Sequence, residues 1–206
     1  MSSIKTLAVL PVAIAMLVAL SACAGDEPQE LTTPDAVTPT VTPTPTPTTA
    51  SLTFTEPEEC ATLLPQARLD QFASRGLVLL GGPDGKYGTD YLADATPEEQ
   101  AGGISCIWGF ADSEISSLTI SVAPLTAATR PAIVASFNEQ GLNEATIDDA
   151  VTFAVQGDKN LNPAVYNVLR GDSWISVIAT IGGTDSYNEA VEVAAEVHDL
   201  VYAPAG

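Results

Sequence analysis

The sequence predicts an α+β fold, an antiparallel sheet with helices packed on it, and three observations lead there. Short segments alternating apolar and polar residues follow one another with only tight turns between them, as antiparallel hairpins require. Segments with an apolar period near 3.6 stand apart from those runs and carry helix start and stop signals. The pattern is helix, strands, helix, strands, helix rather than strict alternation, which separates α+β from a parallel α/β sheet.

The elements follow in order. "TEPEECATLLPQARLDQFASRG" opens with Thr55 three residues before Glu58 and closes at Gly76, with Leu63, Leu64, Leu69 and Phe72 at helical spacing. "LVLLGG" is a short apolar strand, and 83–103 is a long polar excursion with one helical turn starting at Thr96-Pro97-Glu98-Glu99. "ISCIWGF" and "SSLTISVAPL" are two strands flanking the turn "ADSEIS". In the second, Leu118, Ile120 and Val122 mark a buried face and Thr119 and Ser121 a solvent face. A helix is expected over 127–140, closed by Gly141, and "AVTFAVQ" is a further strand. "AVYNVLRGDSWISVIATI" reads as a hairpin turning at Gly171-Asp172. Ser186, three residues before Glu189, caps a last helix with Tyr187, Ala190, Val191, Ala194, Val197 and Val201 along one stripe.

The N-terminal residues carry a different signature. Lys5 precedes an apolar run over 6–20, and Ser21 and Ala22 then lead to Cys23. A helix of about 15 residues reaches roughly 22 Å, short of the hydrocarbon core's ~30 Å, so an export signal is expected rather than a membrane span. "LSAC" resembles the lipobox of bacterial lipoproteins, which are cut before the cysteine. The resemblance implies a diacylglyceryl thioether on Cys23, with acyl chains of the palmitate class; ordinary secretion with an incidental cysteine is the alternative. Three parts are therefore expected: a signal peptide over 1–22, a lipidated cysteine and tether over 23–51, and one domain over 52–206. The tether is dominated by Thr and Pro, which favours an extended polyproline chain at ~3.1 Å per residue and makes a substrate for O-glycosylation.

Charge narrows the partners. Without Lys5 the chain has six basic and 26 acidic residues, a formal charge of −20. Such a surface repels nucleic-acid backbones and anionic headgroups, so attachment to the outer face of the cell membrane rests on the lipid anchor. Carboxylates in this number also serve solubility.

In an oxidising compartment the remaining pair, Cys60 and Cys106, is read as a disulfide closing a loop of about 47 residues, worth on the order of 3–4 kcal/mol. A metal or reactive thiol is the alternative, and the lack of Cys-x-x-Cys and the single histidine, His198, speak against it. "CATLLPQARLDQF" followed by "CIWGF" resembles the Cys-x-x-Leu-Leu-x-x-x-x-Leu … Cys-x-Trp pattern of small actinobacterial lipoproteins classed as domains of unknown function. Their organisation is similar to the extracellular sensor domains of actinobacterial serine/threonine kinases. Over 56–203 the resemblance implies an α+β domain, a Cys60–Cys106 bridge and a binding or sensing role, and it brings no catalytic residues. The chain departs from the kinase sensors in lacking a second cysteine pair and a kinase.

For chemistry, the loop "GGPDGKYGTDYLAD" gathers Asp84, Asp90 and Asp94 with Tyr87 and Tyr91, a possible calcium or sugar contact. It lacks the EF-hand glycine and terminal glutamate, and a flexible surface loop is the plainer reading. His198 is expected within the last helix, at the edge of its apolar stripe, as a surface or boundary residue. "RGDS" at 170–173 is read as turn chemistry, and Trp108 and Trp174 as core. No cofactor or metal site is expected. The reading is a non-catalytic, lipid-anchored binding or sensing module whose partner is an envelope protein, a glycan or a small ligand. A carrier of a lipid or other apolar ligand comes second, and a cell-wall enzyme third.

Overall fold

The computed structural model describes residues 52–112, 115–160 and 162–203. The expected signal peptide, Cys23 and the Thr/Pro tether lie outside them. Among the described residues, no helix is long and apolar enough to cross a membrane.

Seven strands form one sheet: β1 (Leu77–Gly81), β2 (Ile104–Phe110), β3 (Ser116–Pro124), β4 (Asn143–Ile147), β5 (Ala150–Val155), β6 (Ala164–Leu169) and β7 (Ser173–Ala179). The spatial order is β1-β2-β3-β7-β6-β5-β4, with every neighbouring pair antiparallel. Two meanders therefore meet at the β3–β7 pair. Between β3 and β4 runs α3 (Arg130–Glu139), which takes the chain to the far edge; α1 (Gln66–Ser74), α2 (Pro97–Gln100) and α4 (Thr184–Val201) complete the helices.

The α+β class and the Cys60–Cys106 bridge are present as expected, with Cα atoms 5.6 Å apart. Cys60 sits in a separate 3-10 turn, Cys60–Thr62, because the first helix does not start at Thr55. Pro65 is its N-cap. A proline inside the longer expected helix lacks the amide that the preceding turn needs and crowds its carbonyl, so helix begins only after it. Thr55 instead donates its amide to the Val201 carbonyl at 2.8 Å. The glycines expected to end α1 and α3 do so in left-handed conformations, Gly76 at φ 78° and Gly141 at φ 74°. The last helix starts two residues before Ser186, with Gly183 as its N-cap. The 171–172 turn falls where expected, with the Arg170 amide on the Ser173 carbonyl at 2.9 Å. Neither Gly171 nor Asp172 takes a positive φ, however, so the turn does not draw on glycine's freedom.

Both faces of the sheet are covered. On one, Phe72 of α1 and Ala190, Val193, Ala194 and Val197 of α4 pack on Ile120, Val122, Ile175 and Val177. The disulfide is buried in this same cluster, and Gly82 lies against it: a Cβ there would meet the Ser105 carbonyl at 2.3 Å and the Cys60 sulfur at 2.8 Å. Arg68 of α1 reaches across to α4, donating to both Glu196 carboxylate oxygens at 2.8 and 2.7 Å and to Glu192 at 3.3 Å. On the opposite face a second cluster holds Phe137, Phe153, Leu169 and Trp174. There α3 buries only Phe137 fully, and α2 lies over β2 and β3.

Candidate functional site

The second face carries a polar row that the alternation rule did not reveal. Ser105 of β2 stands opposite Ser121 of β3, Ser121 opposite Ser176 of β7, and Ser176 opposite Asn167 of β6. Residues directly opposite share a face, so four small polar side chains line up across four strands. They are buried, none more than 2 % exposed. Ser121, expected on a solvent face, is covered on the side where α2 packs over β2 and β3.

Each member has partners, as buried polar groups require. Ser105 Oγ lies 2.8 Å from Ser121 Oγ and 2.6 Å from Thr96 Oγ1. Asn167 accepts from the Trp174 indole N–H at 2.9 Å and donates to the Phe153 carbonyl at 3.4 Å. Beside the row lies Glu98, 5 % exposed, on α2. Thr96 caps this helix in a reciprocal box with Glu99, and the residue before it, Glu98, is buried toward the sheet. Its carboxyl is met by the hydroxyls of Ser176 and Thr96. An ionised Glu98 can only accept, so Thr96 spends its proton there, and Ser105 must donate to Thr96 and Ser121 to Ser105. The row then points its hydroxyl dipoles at one carboxylate.

Burial pushes the Glu98 carboxyl above the ordinary glutamate range; its own backbone amide and the Ser176 and Thr96 hydroxyls oppose that, and the neighbouring Glu99 charge adds to it. Around Glu98 the sheet offers hydroxyls, and α3 offers Ser136 and Gln140, which do not titrate.

Small side chains where a core would hold Leu or Ile leave space. A groove of about 320 Å³ runs between α3 and the sheet, ending at Pro97 and Glu98. Its floor is Val165, Asn167, Trp174, Ser176 and Ile178. Ala132, Ile133, Ser136, Phe137 and Gln140 form the wall contributed by α3. The lining is mostly apolar with convergent polar groups at one end, the usual composition of a small-molecule site. Among the described residues, Glu98 is the one charged side chain in it.

Sequence reasoning missed this site. "TPEE" is fully accounted for as a helix cap, which left Glu98 looking like a surface residue. A usable signal lay in "SWISVIA", where Ser176 interrupts the apolar face carrying Trp174 and Ile178.

The residues singled out earlier lie elsewhere. Tyr87, Asp90 and Tyr91 share an open hollow of about 630 Å³ with Leu92, Ile115 and Ser116, the two tyrosine rings 5.9 Å apart; Asp84 and Asp94 do not line it. The 82–88 segment is tied to β1 by the Lys86 and Tyr87 amides on the Leu79 and Leu80 carbonyls, at 3.0 and 2.8 Å. Among the described residues no group of three or more His, Cys, Asp or Glu is placed to hold a metal ion.

In the RGDS turn, Arg170 pairs with Asp149 and Asp172 accepts from the Tyr202 hydroxyl, so both charged residues are engaged within the domain. Burial, with the Asp172 contact, pushes Tyr202 up to about 12. His198 stacks on Tyr202, ring centroids 4.9 Å apart, at the edge of α4. Trp108 and Trp174 are core, at 4 % and 3 % exposure, although Trp174 also floors the groove. No protein-family model matches the chain, and no curated protein matches it.

Proposed function

We propose that the protein is a non-catalytic, lipid-anchored binding or sensing module on the outer face of the cell membrane, and that its ligand enters the groove beneath α3. The observation that carries the ligand half is the buried polar row, which keeps space open under a helix and lays hydrogen-bonding groups along its floor. The anchor half rests on the lipobox-like "LSAC" and the Thr/Pro tether. At roughly 30 Å³ per water-sized group, the groove holds on the order of ten non-hydrogen atoms. That favours sensing a small molecule, or one group of a larger one, over carrying a two-chain lipid. Two-carboxylate hydrolysis would need a second acid at the site, and among the described residues the lining supplies only Glu98. The Tyr87–Tyr91 hollow is a second, more open contact suited to the face of a sugar ring.

Native mass spectrometry on the protein extracted from its own envelope tests this reading. Acylation at Cys23 and an extra small mass are expected on the wild type, with the extra mass absent from Ser136→Trp, which fills the groove mouth from an exposed position. An unmodified Cys23 would overturn the anchor. A clean, unliganded mass for both proteins would overturn the groove and direct the search to protein partners.

A further inference from the structure

The geometry points to a small organic cation as the ligand: an amine whose ammonium group pairs with Glu98 and whose apolar body lies under α3. This rests on the groove reading and adds the ligand's chemical class. Three observations lead to it. First, among the described residues Glu98 is the only charged side chain lining the groove, so a ligand entering it meets a carboxyl with no counter-ion among them. The six Lys and Arg residues beyond the tether lie outside the lining: Arg68 and Arg75 on the glutamates of α4, Arg130 and Arg170 at the 171–172 turn, Lys86 on the Ala111 carbonyl, Lys159 beside Gly183.

Second, the polar groups nearest Glu98 are engaged with protein partners and leave its carboxylate as the charged acceptor of the groove. The Ser176 hydroxyl meets Glu98, and the Asn167 amide places one of its two N–H groups on the Phe153 carbonyl. Pro97, at the mouth, has no amide hydrogen. The Glu98 carboxylate is an acceptor that an ammonium with three N–H groups satisfies and that a ligand carboxylate would meet with like-charge repulsion. Third, Ile133, Phe137, Val165 and Ile178 supply apolar surface within the same groove, so the cation must carry a hydrocarbon part. The domain's excess of carboxylates draws cations toward it in the same sense.

The test uses the intact lipoprotein in zwitterionic nanodiscs, titrated calorimetrically at pH 8 against empty-disc blanks. The probes are three molecules of one shape: cyclohexylamine, cyclohexanol and cyclohexanecarboxylate. The amine is expected to bind at least tenfold more tightly than the alcohol, and the carboxylate not at all. Glu98→Gln, isosteric and able to keep the Ser176 and Thr96 contacts, should bring the amine down to the alcohol's affinity. Ser136→Trp should remove binding of both, which separates the groove from general attraction to an acidic surface. Alcohol or carboxylate binding as tightly as the amine, or selectivity surviving in Glu98→Gln, would overturn the cation and leave the groove standing. No binding by any of the three would overturn both.

Discussion

At Glu98, burial and hydrogen bonding pull in opposite directions, and burial prevails. The folded-state value lies above the unfolded one, so between the two the folded protein holds more protons. Stability is then highest below the unfolded value and falls as pH rises through the folded one. Glu98→Gln should flatten that decline: thermal melts across pH 4–8 should show the variant gaining on the wild type as pH rises. A variant whose deficit grew with pH would contradict the assignment. This residue was illegible in the sequence because a capping box explains "TPEE" completely. Only the strand register, setting Ser176 across from both Ser121 and Asn167, reveals what Glu98 faces.

Among the elements, those with an apolar period were readable and those held by backbone or by distant charges were not. β4 was missed because "NEATI" is exposed along its whole length and presents no apolar face; its hydrogen bonds to β5 hold it. The hairpin of β6 and β7 was legible because both strands are rich in Val, Ile and aromatics. The docking of α1 on α4 was not, since Arg68 lies more than a hundred residues from its glutamates. Its side chain is 9 % exposed against 30 % for Glu196, and the Glu196 bond holds the guanidinium more firmly charged than usual. Arg68→Met keeps an apolar stem but leaves Glu189, Glu192 and Glu196 along one side of a helix. It should cost on the order of 2 kcal/mol, less than the roughly 3–5 of a fully buried pair, because Glu192 remains 67 % exposed. Urea unfolding checks this, and added salt should recover part of the loss by screening the glutamates.

Across the whole molecule the sheet separates two clusters with different roles. The α1–α4 side holds the disulfide and the charged network; the α2–α3 side holds the polar row and the groove. Reducing Cys60–Cys106 frees a loop whose ends lie 46 positions apart and should lower unfolding free energy by about 3–4 kcal/mol. Ligand affinity in the groove should stay unchanged while the protein remains folded, because the bridge lies on the other face. Matched titrations with and without reductant check both parts, and a parallel loss of affinity would show the faces to be coupled. The contact between Thr55 and the end of α4, 2.8 Å from amide to carbonyl, has another consequence. It brings the two ends of the domain side by side, so the route by which the chain enters is separable from the architecture it builds. A circular permutant joining 203 to 54 through a few glycines, and opened in the exposed turn at Asp148-Asp149, should form the same disulfide and unfold cooperatively. Such a protein would be entered through the edge strands, presenting the groove in a new direction while keeping its walls.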